Sequence, residues 1–318
     1  MTPRHWLLAL PLLCAALAQA GDYTLDSTYK KLRPDYPDIV PVRLQLHSPV
    51  RQWPGRIYRR VNGEALKLDV FAPPAGGAAR TGLLLVHGGG WRSGDRRLLA
   101  PLAQALAARG YVVATADYRM APPATFPAPV HDLLAALAWL RANAGTFNVD
   151  PARLAIGGSS AGGQLAALAG LWAGDRQRDA HGTPVAAIIN IDGLWDFTTP
   201  LALRYENDPA RTVTSAGAFL GGRFEARPQI WRAASPLTYL DATAPPILCL
   251  TSGRPRFSAG IDAAGTRADA LGVPFTRQRY PGTPHSFWLF EPWFSRVTRQ
   301  LAQFLARLPQ PPGKRTDH

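Results

Sequence analysis

Cysteine is nearly absent from this chain, occurring only at Cys14 and Cys249. Cys14 falls in a segment expected to be removed, so no intramolecular disulfide is expected to brace the fold. Cys249 sits in the apolar run Ile247-Leu248-Cys249-Leu250 and reads as a small buried hydrophobe. No Cys/His cluster has metal-ligand spacing, so no metal site is implied. Lysine is also scarce, at positions 30, 31, 67 and 314, and arginine therefore carries the formal charge of +13. Those arginines are scattered rather than massed, which argues against a nucleic-acid surface. A basic surface is compatible with an acidic polymer, and equally with an arginine-rich composition. No internal repeat and no coiled-coil heptad stands out.

Long hydrophobic runs are missing as well. The most apolar stretch, Trp6 to Leu17, follows Arg4 and His5 and precedes Ala18-Gln19-Ala20. It is too short to span a bilayer, but it has the n-region, h-region and A-x-A site of a signal peptide. The expectation is cleavage after Ala20 and export to the periplasm or beyond, with no stable membrane association.

What remains is rich in core material, with 47% hydrophobic residues over 318 positions. One α/β domain with insertions is expected. Residues 21–55, punctuated by prolines, read as an irregular arm. From Arg56 to Phe71, strand-like residues flank Asn62-Gly63, a hairpin signal. Short, continuously apolar strands then alternate with helices. The strands are Leu83–Val86, Tyr111–Ala114, Leu154–Ile156, Val185–Ile191, Ile247–Leu250 and Pro274–Tyr280. The helices cover about 96–108, 128–142, 162 onward, 259–271 and 292–308. Strands buried on both faces and separated by helices predict a doubly wound, mostly parallel sheet. Residues 194–241 break the alternation and read as an insertion above the site. The domain is thus expected over 56–308, with a frayed tail over 309–318.

The chemistry gathers at Gly158-Ser159-Ser160-Ala161-Gly162, between the strand Leu154–Ile156 and the helix after it. This is the G-x-S-x-G elbow, in which a sharp turn presents a serine hydroxyl. Centring the motif on Ser160 puts glycine at both flanks; centring it on Ser159 does not. A serine nucleophile needs a base and donors for the oxyanion of its tetrahedral intermediate. The glycine run after the strand Leu83–Val86 supplies candidate donors in Gly89 and Gly90, with the Ala161 N–H as a third. His285, between the last strand and the last helix, is the candidate base. His87 belongs to the glycine motif and reads as a brace. Asp132 reads as a helix-start or loop-tethering group rather than a catalytic one.

His87-Gly88-Gly89-Gly90-Trp91, Asp117-Tyr118-Arg119-Met120-Ala121-Pro122, the elbow and the His285 loop together resemble the α/β-hydrolase esterases of the hormone-sensitive-lipase-like group. The resemblance covers roughly 56–308. The endings Ile189–Gly193, Pro255–Asp262 and Thr283–Phe290 resemble bacterial pectin and xylan acetylesterases. Such a resemblance implies a Ser-His-Asp triad, hydrolysis of acetyl or similar esters on acylated polysaccharide or oligosaccharide, and no cofactor. It also implies an aspartate shortly after Ile247–Leu250, where this chain has Thr251-Ser252-Gly253-Arg254-Pro255-Arg256 instead. A cation there cannot stabilise an imidazolium. Asp262 is the preferred acid, in the chain order Ser160, Asp262, His285, with Asp192 as its rival at the end of the preceding strand. Trp91 and Trp288 are candidate platforms for a sugar ring. The expected function is a secreted serine esterase; alternatives are a feruloyl or general short-chain carboxylesterase, and a non-catalytic glycan-binding homologue.

Overall fold

Leu83, Leu84, Leu85 and Val86 are all completely buried, and their alternation divides the interior in two. Leu83 and Leu85 join one apolar cluster, Leu84 and Val86 the other. Only a central strand covered by helices on both faces needs such a run.

The computed structural model describes residues 23–45 and 49–308. The expected signal peptide with its cleavage site, Cys14, and the tail 309–318 lie outside them. In chain order the elements are α1 (Leu25–Leu32), β1 (Val40–Pro41), β2 (Arg51–Val61), β3 (Glu64–Ala72), β4 (Arg80–Val86), α2 (Ala100–Ala107) and β5 (Val112–Ala116). Then come α3 (Ala128–Ala142), α4 (Ala144–Phe147), β6 (Val149–Ser159), α5 (Ala161–Trp172), β7 (Ile188–Ile191), α6 (Pro200–Glu206), α7 (Ser215–Leu220) and α8 (Pro228–Ala233). The chain closes with β8 (Ile247–Thr251), α9 (Ile261–Leu271), β9 (Phe275–Arg279), β10 (Phe290–Glu291) and α10 (Phe294–Ala306).

Eight strands form one sheet in the order β2-β3-β5-β4-β6-β7-β8-β9. The β2–β3 hairpin turns at Asn62-Gly63, and β3 pairs antiparallel with β5; from β5 to β9 every pair is parallel. Apolar side chains of α3, α5 and α9 pack on one face, and those of α2 and α10 on the other. This is the doubly wound sheet expected from the alternation. The insertion 194–241 folds into the short helices α6, α7 and α8.

The arm departs from expectation. Its central part is the helix α1, closed by a reciprocal cap in which the Thr24 hydroxyl accepts the Ser27 N–H (3.1 Å) and the Ser27 hydroxyl accepts the Thr24 N–H (3.0 Å). Asp26 in its first turn and Lys30 and Lys31 in its last complement the helix dipole. β1 then pairs with β10, tying the arm to the segment after His285. The sheet hairpin also begins earlier than predicted, at Arg51.

Candidate active site

β6 ends at Ser159 and α5 begins at Ala161, leaving Ser160 alone in the turn with φ 54° and ψ −124°. A non-glycine residue in this region stores strain and is held there by its surroundings. Those surroundings are backbone. A Cβ on Gly158 would lie 2.2 Å from the Gly162 carbonyl oxygen, and one on Gly162 would lie 2.2 Å from that of Val86. The two flanking glycines are therefore required by close approach. The Ser160 N–H donates to the Ile191 carbonyl (2.8 Å), fastening the turn to the end of β7.

His285 follows β9 and reaches back to the elbow. Its Nε2 lies 2.7 Å from the Ser160 Oγ, and its Nδ1 lies 2.7 Å from the Asp192 Oδ2. With Nδ1–H donated to the carboxylate, Nε2 carries the lone pair that accepts the serine hydroxyl proton. Asp192 follows β7 directly, its side chain is fully buried, and its Oδ1 accepts the Ser252 N–H (3.0 Å).

Asp262 is not the acid. Its side chain is 85% exposed on α9, where it pairs with Arg277 on β9. The β7 end is one strand from the nucleophile, and the sheet order is what decides between the two aspartates. The sequence signal for Asp192 was Asp-Gly immediately after an apolar strand. Asp192 has φ 53°, a conformation that aspartate tolerates better than most residues.

Gly89, Gly90 and Ala161 line the same cavity as Ser160 and His285, a space of about 590 Å³. Gly89 has φ 126°, and a Cβ there would lie 2.0 Å from the Ser93 carbonyl oxygen, so only glycine fits the turn. The end of α5 beside Ser160 adds its N-terminal partial charge to the place where an oxyanion would develop. His87 is the expected brace: it is buried, its Nδ1–H donates to the Gly88 carbonyl (2.8 Å), and its ring stacks on Tyr118. Burial holds its pKa below the ordinary 6.5. Asp132 ties Arg59 and Arg119 together from beneath, at 2.8 Å each, and so tethers the loop after β5.

The two tryptophans are not sugar platforms. Trp288 is fully buried and packs perpendicular to the His285 ring, with centroids 5.2 Å apart at 89°. Trp91 touches the cavity but is 4% exposed, stacked on Phe219, with its Nε1–H donated to Gln164. Burial leaves neither ring exposed enough to carry a sugar.

Several cavity residues carry no motif and were not foreseen. Phe257 stacks on His285 with ring centroids 3.4 Å apart. From the arm, the Tyr23 hydroxyl bonds Ser286 beside the base (3.0 Å), and burial raises the phenol's pKa to about 12. Lys31, Tyr205, Glu206 and Arg256 complete this side of the wall. Among the described residues, no group of three or more His, Cys, Asp or Glu side chains is placed to hold a metal ion. No helix there is long and apolar enough to cross a membrane.

The BD-FAE family model matches residues 68–254, more than half of the chain. The chain belongs to the BD-FAE family. Esterase LipQ of Mycobacterium tuberculosis is 30% identical over 251 residues, covering 75% of this chain and 58% of its own. Esterase LipC of the same organism is 35% identical over 181 residues, 54% of this chain and 43% of its own. The chain spans about half the length of these curated relatives. Among solved structures, a bacterial heroin esterase superposes with a TM-score of 0.67 at 26% identity, covering 93% of this chain and 96% of its own. A truncated carbohydrate esterase from gut microbiota superposes with a TM-score of 0.69 at 20% identity, covering 82% and 97%, a likeness of fold. This BD-FAE chain is accordingly an α/β-hydrolase of the hormone-sensitive-lipase-like esterase group, as its motifs implied.

Proposed function

We propose that the protein is an exported serine esterase that removes acetyl or similar short acyl groups from plant cell-wall polysaccharide through an acyl-enzyme. The observation that carries the ester-hydrolase part is the unbroken contact line from Ser160 through His285 to Asp192, beside the glycine run and inside one cavity. His285 takes the Ser160 proton as the oxygen attacks the ester carbonyl. The Gly89, Gly90 and Ala161 N–H groups receive the oxyanion, and Asp192 stabilises the imidazolium. His285 then protonates the leaving alcohol, and water repeats the sequence to release the acid. Export rests on the composition of residues 1–20, and the glycan on the resemblance of the strand endings.

A general short-chain carboxylesterase is the second reading, favoured by relatives named simply as esterases. A non-catalytic glycan binder has no use for the complete constellation. Aryl-acetate hydrolysis with covalent labelling of Ser160 tests the chemistry. Ser160→Ala should lower kcat by about 10⁶, and near-full activity in that variant would overturn the assignment. Acetate release from acetylated pectin, xylan, xyloglucan and mannan tests the substrate; aryl-acetate turnover without release from any of them favours the second reading.

A further inference from the structure

We propose that the cavity above Ser160 contains a carboxylate-binding subsite centred on Arg256, so that the preferred ester carries a free carboxylate. The inference rests on the ester-hydrolase reading of the site. The Arg256 guanidinium lies over two rings, with its central carbon 4.2 Å from the Phe257 centroid and 5.0 Å from that of Tyr205. Phe257 in turn lies flat on His285, at 3.4 Å and 8°. The cation is thus one aromatic ring away from the general base, and all of these residues line the cavity that contains Ser160.

A guanidinium placed over ring faces can keep its N–H donors available for other partners. Among the described residues, Arg256 makes no hydrogen bond and no ion pair; it touches the two rings and lies within electrostatic reach of Glu206. A planar fork of donors, already immobilised and unpaired beside a nucleophile, matches a carboxylate in two parallel hydrogen bonds. The neighbouring charges permit it. Arg211 is engaged with Asp208 (3.6 Å), and Lys31 adds a second cation to the wall. Glu206 is the remaining cavity carboxyl; it makes no ion pair with Arg256, and although the Arg256 and Arg211 charges pull its pKa down, burial outweighs them and pushes it upward, towards the neutral form. Arg256 also occupies the loop after β8, which Asp192 has relieved of supplying the triad acid. That loop is free to read substrate.

The carboxylate can belong to the alcohol half of the ester, as in a uronate, or to the acyl half, as in a dicarboxylic half-ester. Two substrate pairs separate these sources. One is acetylated oligogalacturonate against acetylated xylo-oligosaccharide of equal length; the other is the para-nitrophenyl half-ester of glutaric acid against para-nitrophenyl butyrate. In one pair the wild-type protein should prefer the carboxylate member in kcat/KM, with the preference weakening as salt is raised. Arg256→Gln should reduce that preference by about tenfold to a hundredfold, as expected for a lost charge-assisted pair. Arg256→Lys, keeping the charge without the fork, should fall between. An equal loss on both members of the pair would show that Arg256 acts only by bracing Phe257, and would overturn the proposal. Wild-type turnover with no preference in either pair also overturns it, while leaving the esterase reading intact. Failure to hydrolyse any of the four esters, or phenyl acetate, overturns both.

Discussion

Asp192 and Asp262 are chemically identical and differ only in what surrounds them. Asp192 is buried against the His285 Nδ1–H and the Ser252 N–H, whereas Asp262 faces solvent beside Arg277. Asp192→Asn should lower kcat by about 10⁴ with the fold intact, because the amide no longer selects the productive tautomer or stabilises the imidazolium. Asp262→Asn should change stability by no more than about 0.5 kcal/mol and leave aryl-acetate turnover near wild type, since exposed ion pairs contribute little. Steady-state kinetics with a denaturation curve for each variant checks both outcomes. The nucleophile and base were legible because a turn motif and a loop position each single out one residue. The acid was not, because chain order admits both aspartates and only strand adjacency separates them. His87 gives a pH dependence of its own. Burial lowers its folded-state pKa below 6.5, so in acid the unfolded chain binds the proton first. Stability should fall as pH drops through 6.5, until the folded residue also protonates. His87→Asn, which can still donate to the Gly88 carbonyl, should flatten that part of the profile in denaturant titrations at a series of pH values.

At the level of elements, the elbow depends on backbone meeting backbone. Gly162→Ala would force a methyl against the Val86 and His87 carbonyls, at 2.2 and 2.3 Å, and neither strand nor helix can move away alone. A loss of about 3 kcal/mol or more is expected from such overpacking, read from the shift in denaturant midpoint. The hairpin at Asn62-Gly63 and the helix 128–142 were plain in the sequence because each carries a complete local signal, a turn dipeptide or a sustained apolar period. α1 was missed because it is short and followed closely by Pro34 and Pro37. Its cap, Thr24 to Ser27, lacks the usual glutamate or glutamine at the reciprocal position. Its contribution is tertiary: Leu25, Tyr29 and Leu32 pack on the α2/α10 face of the core, while Ser27, Thr28 and Lys31 line the cavity.

For the molecule as a whole, the apolar runs correctly forecast a sheet covered on both sides. The composition of the cavity could not be forecast, because its wall is assembled from the arm, the insertion and the loop after β8, far apart in sequence. Cys249 lies on β8, the strand next to the sheet edge, fully buried, with its pKa raised by burial. Its thiol should resist alkylation in the native protein and react on unfolding, which following the label on the peptide carrying Cys249 would reveal.

Ser160 and Asp192 both hold left-handed backbone, φ 54° and 53°, at the ends of adjacent parallel strands, and the Ser160 N–H is bonded across to Ile191. Two members of the proposed catalytic set are therefore one mechanical body, as stiff as the sheet that carries them. The third is mounted separately, on the loop after β9, the edge strand of that sheet. The arrangement works like a vice with one fixed jaw and one adjustable jaw. Misalignment enters through the adjustable side, whose set-screws are Phe257, Trp288 and the Tyr23–Ser286 contact. Heat should then disable the tool before it breaks the frame, with labelling of Ser160 failing at a lower temperature than the unfolding of the sheet.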